Sequence, residues 1–408
     1  MKPSCILPLV FSVLFLTAAS LCAAQTYTVT DLGTLPAGSS SGAKAVNATG
    51  QATGWAYDAN NSVSEVFRYS SGAMRKLGTL GGSSAIGNAI NSSGRIAGYS
   101  TDSGGTYRAF VTQNGKLVDI GDLGGNSAVG YGINDLGQVV GAAYLANGEV
   151  HPFLWSNGTM TDLGTLGSHN IGWWNSATGV NKSGFVVGTS YDASGNFFGF
   201  VWHSGAMTKV GTLGGPWSQV YAINNKNQIT GLAYTRNGLA HAFIATAGGS
   251  LTDLGTISGP TSTTWGFAIN NLGVVVGQST FQNTYHAFVY SAGKMKDLNK
   301  LIAAGSGWLL LSANGINDAG QIVGEGMLNG KQHGFLLTPV RPADVSVPIV
   351  ICGTAAQYVS QAEQYPAQRR DGCDPNRKCN FHEPGRSRSH SAQKEWKNIP
   401  GRDVHVIP

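Results

Sequence analysis

Between residues 27 and 339, short apolar runs alternate with polar, glycine-marked turns, and no useful stretch keeps the spacing of an amphipathic helix. Aligned on an Asn that follows Val or Ile, the pattern recurs at Asn47, Asn91, Asn134, Asn181, Asn224, Asn270 and Asn317, at intervals of 43 to 47 residues. Each of the seven units predicts four strands. The first ends in the Val/Ile–Asn pair. A tight Asn-x-x-Gly turn follows, in which Gly accepts a positive φ; Asn227, the next most tolerant residue type, takes the Gly position in the fifth unit. The second strand is apolar and glycine-punctuated, as in residues 137–143. The third carries a Phe, as in His241-Ala242-Phe243. After a Gly turn the fourth reads Asp-Leu-Gly-Thr-Leu or a variant, as in residues 162–166.

Four short strands in about 45 residues, repeated in tandem, match a propeller blade better than a solenoid coil. The two ends of the pattern are complementary. A first Asp-Leu-Gly-Thr-Leu at residues 31–35 has no unit before it, and the seventh unit stops at Pro339 after three strands. The expected fold is therefore all-β: a seven-bladed β-propeller of four-stranded blades, residues 25–339, its ring closed by the N-terminal strand. Positions two and four before each key Asn hold Gly or Ala almost throughout, while the position just before it holds Val or Ile. Strand alternation puts the small residues on one face and the branched ones on the other. Crowding near an axis favours that arrangement, so this strand is expected to be innermost.

Composition adds targeting and compartment. Lys2, the apolar run 6–16 and Cys22-Ala23-Ala24 read as a secretory signal over residues 1–24, and the apolar run is too short to span a membrane comfortably. Secretion to the extracellular space is expected, with the periplasm as the alternative. Residues 340–408 break the pattern and hold 10 of the 26 Lys and Arg residues. The overall charge of +5 is mostly theirs, and they read as a disordered basic tail. The five Cys fall in the signal (Cys5, Cys22) and the tail (Cys352, Cys373, Cys379), so packing alone must hold the repeats.

The recurring Val/Ile-Asn-x-x-Gly, Val-Val-Gly, His-Ala-Phe and Asp-Leu-Gly-Thr-Leu-Gly-Gly words, with intact His-Ala-Phe at residues 241–243 and 286–288, resemble the HAF-repeat family of bacterial extracellular proteins. The resemblance covers about residues 27–339. It implies export from a bacterium and carries no reaction and no catalytic residues.

The recurring His151, His241, His286 and His333 sit on a strand away from the axis, where they cannot converge on a metal; bonding within their own repeat is the expectation. The recurring acids Asp31, Asp119, Asp162, Asp253 and Asp297 fail the same test, and no isolated carboxylate pair of glycosidase type stands out. No catalytic residue, metal site or cofactor is expected. One departure from the repeat suggests a ligand. The loop leading into the first strand is small and polar early in the chain, then acquires Trp173 and Trp174, Trp217, Trp265 and Trp308. Indoles on one rim would offer a stacking platform to sugar rings; the competing reading is that each plugs a gap between blades. The expected function is a non-catalytic, monomeric binding module for a polysaccharide or another cell-surface partner. The alternatives are a carbohydrate-active enzyme with its site at the axis and a purely structural extracellular protein. The near-neutral repeat region argues against nucleic acid, and no transmembrane segment is expected.

Overall fold

A computed structural model describes residues 26–167 and 172–340. All the described residues belong to one compact unit. The signal peptide expected at residues 1–24 lies outside the described residues, as does the tail beyond Val340 with its three cysteines.

The described residues form an all-β protein. Its one helical element is a single 3₁₀ turn, Leu298–Lys300. Antiparallel sheets follow the repeat: five have four strands, and two repeats share an eight-stranded sheet through one parallel bridge, Ser64 to Ser84. In the last repeat the strands Trp308–Ile316, Ile322–Leu328 and Lys331–Pro339 take Tyr27–Asp31 as their fourth, paired antiparallel from Tyr27 opposite Pro339 to Asp31 opposite Phe335. No described helix is long and apolar enough to cross a membrane, which leaves β-barrels unaddressed.

One register device recurs in all seven first strands. Pairing with the second strand skips the residue three before each key Asn: Lys44, Asn88, Tyr131, Thr178, Tyr221, Phe267 and Asn314. This β-bulge resets alternation. The small residues two and four before the Asn therefore point to opposite faces, not to one face as simple alternation implies. A Cβ on Gly87 would strike Thr53 and Val66 of the preceding repeat, whereas one on Gly132 would strike Thr178 and Gly179 of the following repeat. Both columns must be small because each is pressed by a different neighbour.

The bulge also explains the glycine of the second strand. The bulged strand aims the carbonyl of Val129 at Gly141, where a Cβ would stand 1.9 Å from that oxygen. The other six repeats repeat the contact at 1.8–2.0 Å. Opposite each such glycine lies the third-strand Phe, as Gly141 faces Phe153, and all seven Phe are fully buried. The aromatic ring covers the backbone that the missing side chain leaves bare, so each sheet keeps a packed face without a Cβ at its crowded point.

The key Asn residues join the repeats. Each is at most 7% exposed and donates from Nδ2 to the main-chain carbonyl of the next, from Asn47 to Asn91 and so on, at 2.8–3.1 Å. Asn317 donates to Asn47 at 2.9 Å, so the seven bonds run in a cycle. Each Asn Oδ1 meanwhile accepts main-chain N–H groups of its own turn, as Asn134 does from Leu136 and Gln138. One side chain thus caps a turn and ties it to its neighbour. Asn227 adopts φ 59°, as its place in the turn requires.

Candidate binding surfaces

The cycle of Asn residues encloses a cavity of about 240 Å³, lined seven times by the same three-residue run, from residues 46–48 to 316–318. Its polar walls are largely committed. The Asn side chains bond as described, and the two carboxylates at its edge, Asp135 and Asp318, accept from the N–H groups of Ser92 (2.9 Å) and Asn271 (2.8 Å). Among the described residues no cluster of three His, Cys, Asp or Glu side chains is placed to hold a metal.

The recurrent His residues bond within their sheets. His151 Nδ1 meets Asp162 at 2.8 Å, His241 meets Asp253 at 2.8 Å, His286 meets Asp297 at 2.9 Å, and His333 meets Asp31 at 2.9 Å. The last pair fastens the N-terminal strand to the final repeat. Three repeats replace the His, and two of them replace the Asp as well. Glu65 faces Lys76 at 3.3 Å with the charges reversed. Arg108 lies 4.0 Å from Asp119 and closer to Asp102 and Asp122, and Lys209 sits 3.7 Å above the Phe198 ring. These are cross-strand pairs of the sheet.

The five Trp do not all come together. Trp173 sets its edge against Tyr144 (centroids 4.9 Å) and Tyr107 (6.1 Å), and Tyr107 touches Tyr99 (5.5 Å). Its chain neighbour Trp174, 37% exposed, meets Phe197 at 5.3 Å. Phe197 also touches Tyr191 (4.9 Å) and Trp217 (6.1 Å), and Trp217 stacks on Tyr234 at 4.3 Å. An aromatic run thus crosses four successive repeats. Trp265 pairs separately with Tyr285 (5.9 Å), and Trp308 packs edge-on against the core ring of Phe335 (6.0 Å). Among the described residues no ring contact links these two to the run.

The partners come from the ends of second strands and the starts of third strands, the elements that share this rim with the Trp loops. They are the residues the sequence reading missed, yet a signal for them exists. Three residues after each second-strand glycine stand Tyr57, Tyr144, Tyr191 and Tyr234 in four of the repeats. Burial holds the Tyr99 phenol up at about 12, and burial also raises Tyr131 and Tyr221. All three stay protonated at physiological pH, and Tyr221 donates its O–H to Gln219 Oε1.

No protein-family model matches the chain, and no curated protein matches its sequence. Solved structures do match. A puromycin-hydrolysing peptidase of Mycobacterium tuberculosis aligns with a TM-score of 0.50 at 12% identity, over 73% of this chain and 52% of its own. TolB from Acinetobacter baumannii gives 0.41 at 10% identity, over 71% of this chain and 64% of its own. The SapL1 lectin, solved with alpha methyl fucoside, gives 0.38 at 14% identity, over 63% of this chain and 95% of its own. The chain spans about half the length of the peptidase and under two thirds of TolB. At such identities the likeness concerns the fold alone, and the fold is of β-propeller type.

Proposed function

We propose that residues 25–339 close into a seven-bladed propeller, exported under the signal at residues 1–24, and act as a monomeric, non-catalytic binding module of the HAF-repeat kind for a cell-surface polysaccharide. The cyclic Asn bonds and the pairing of Tyr27–Asp31 with Lys331–Pro339 support the closed ring. The observation that carries the function is the aromatic run from Tyr99 to Tyr234, with Trp174 exposed at its middle. Pyranose rings present C–H faces to flat aromatic walls and hydroxyls to phenol and backbone groups at their edges, and this rim offers both. Trp265 and Trp308, packed apart from the run, serve as fillers between sheets in this reading.

The test is a screen of the full chain against bacterial and plant polysaccharides, followed by Trp fluorescence titration of any ligand found. The expected result is saturable quenching, with affinity at least tenfold weaker in Trp174→Ala and Trp217→Ala and unchanged in Trp308→Phe. Failure of the whole polysaccharide panel, or full affinity in both of the first two variants, would overturn the proposal.

A further inference from the structure

A second cavity, of about 510 Å³, opens at the opposite end of the sheets from the Trp rim, between the repeats of Asn91 and Asn134. Arg95, Trp155, Gln113, Asn114 and Asn157 line it. Its volume falls in the range of roughly 300–1,000 Å³ that small-molecule sites occupy.

Arg95, which lines this cavity, departs from the repeat in residue type. Four residues after the key Asn, four repeats carry Gln: Gln51, Gln138, Gln228 and Gln321. Each of these Gln accepts the Nδ2–H of its own key Asn through Oε1, at 2.7–3.0 Å. Arg95 cannot take that part, since a guanidinium has donors only. In the repeat of Asn181 the position holds Phe185, which stacks on His203 at 3.9 Å and needs no polar partner. Like Gln51 over Gly94, Gln321 over Gly50 and Gln228 over Gly273, the Arg95 guanidinium lies over the turn glycine of the next repeat, where a Cβ on Gly137 would stand 2.9 Å from its Nη1, but it brings a positive charge there.

It arrives there half-buried, and among the described residues no carboxylate lies within ion-pair distance of it. None of the seven residues lining the cavity is acidic. Beside it stand the indole of Trp155, half-buried, and three amide side chains. Asn114 and Asn157 are fixed in tight turns by φ of 52° and 50°, each followed by a glycine that also has positive φ.

We propose that this cavity is a subsite for a carboxylated sugar, a uronate unit of an acidic polysaccharide. The guanidinium pairs the carboxylate in a two-pronged bond, the indole receives the C–H face of the ring, and the amides take the hydroxyls. A bare anion would leave the indole and amides unused, and a neutral sugar would leave the half-buried charge unpaired. The subsite stands apart from the Trp rim and does not depend on a ligand binding there.

The experiment titrates the full chain with tri-galacturonate and with its fully methyl-esterified form, by calorimetry and saturation-transfer NMR, in the wild type and in Arg95→Gln, Trp155→Leu and Trp174→Ala. Arg95→Gln installs the residue that four other repeats use and should leave Tm unchanged. The expected result is saturable binding of tri-galacturonate, at least tenfold stronger than of the ester. That preference is lost in Arg95→Gln, binding of either sugar weakens at least tenfold in Trp155→Leu, and Trp174→Ala has no effect. Equal binding of acid and ester, full affinity in Arg95→Gln, competition by acetate as strong as by the sugar, or no saturation by tri-galacturonate would each overturn the assignment. Loss of Trp-rim binding alone would leave it standing.

Discussion

Replacing Asn134 by Ala tests the cycle that joins the repeats. The side chain, 6% exposed, donates to the Asn181 carbonyl at 3.0 Å and to Gln138 Oε1 at 2.7 Å, and accepts from the N–H groups of Leu136 and Gln138 at 3.1 and 3.0 Å. Each such bond contributes about 1 kcal/mol net, and a buried partner left unmatched costs about 1–3 kcal/mol. Some of the orphaned groups lie in a turn and regain water, so the total should be about 3–5 kcal/mol. For a domain of this size that is a fall in Tm of about 5–8 °C. Scanning calorimetry measures it, with Leu136→Ala in the same turn as a control, since Leu136 is 68% exposed and should change stability by less than about 0.5 kcal/mol. Asn134→Asp sharpens the reasoning. It keeps the acceptor but sets a second carboxylate oxygen against the Asn181 carbonyl. Its folded-state pKa must then rise above the unfolded value of about 3.9, so the variant should lose stability as pH rises from about 4 to 7. A fall in Tm under 2 °C for Asn134→Ala, or an Asn134→Asp protein insensitive to pH, would refute the claim that these bonds hold the repeats together.

Three further outcomes follow from the same structure. Phe153→Ala removes a fully buried ring that lies over Gly141 and should cost about 3–5 kcal/mol, read as a lower urea midpoint; a loss under 1 kcal/mol would contradict the covering role. Burial pushes the Asp162 carboxyl up, but bonds from His151 and the Gly164 N–H outweigh it and hold it below the ordinary carboxylate range. The folded state therefore binds fewer protons than the unfolded state in acid. This contribution is complete above about pH 4 and fades as pH falls through the folded-state value. Asp162→Asn should flatten the acid limb of Tm against pH, and an unchanged limb would count against the pairing. Deleting residues 26–31 strips Lys331–Pro339 of its partner strand and the His333 pair, and should lower Tm and promote association through the exposed edge; a deletion variant that melts like the full chain and stays monomeric in light scattering would sink ring closure.

Much of the architecture is written in the sequence, because it rests on local rules repeated many times. The four-strand unit, the Asn-x-x-Gly turns and the bonding of the third-strand His within its own sheet rest on contacts inside one unit of the pattern. A period of about 45 residues makes them visible. The fourth-strand role of Tyr27–Asp31 was also legible, from the mismatch between the two ends of the pattern. The bulge was not. Its residue varies from Lys44 to Tyr131 to Phe267, because a bulge is a backbone register event that any side chain can occupy. It overturned the assignment of both small columns to one face.

The candidate sites were only half legible. The Trp residues stood out as departures from the repeat, but whether an indole joins a surface or plugs a seam depends on residues some 20 to 70 positions away in neighbouring repeats. Trp173 meets Tyr107 and Tyr144, while Trp308 meets Phe335, and no local signal separates the two cases. Arg95 carries no signal within its own repeat, because its part is set by the Gln side chains of other repeats, which give their acceptors to the key Asn. Sequence by itself determined what each repeat does with its own backbone, since hydrogen bonding and turn geometry act over a few residues. Tertiary structure alone decided what lies between repeats, because those contacts depend on how one sheet is packed against the next.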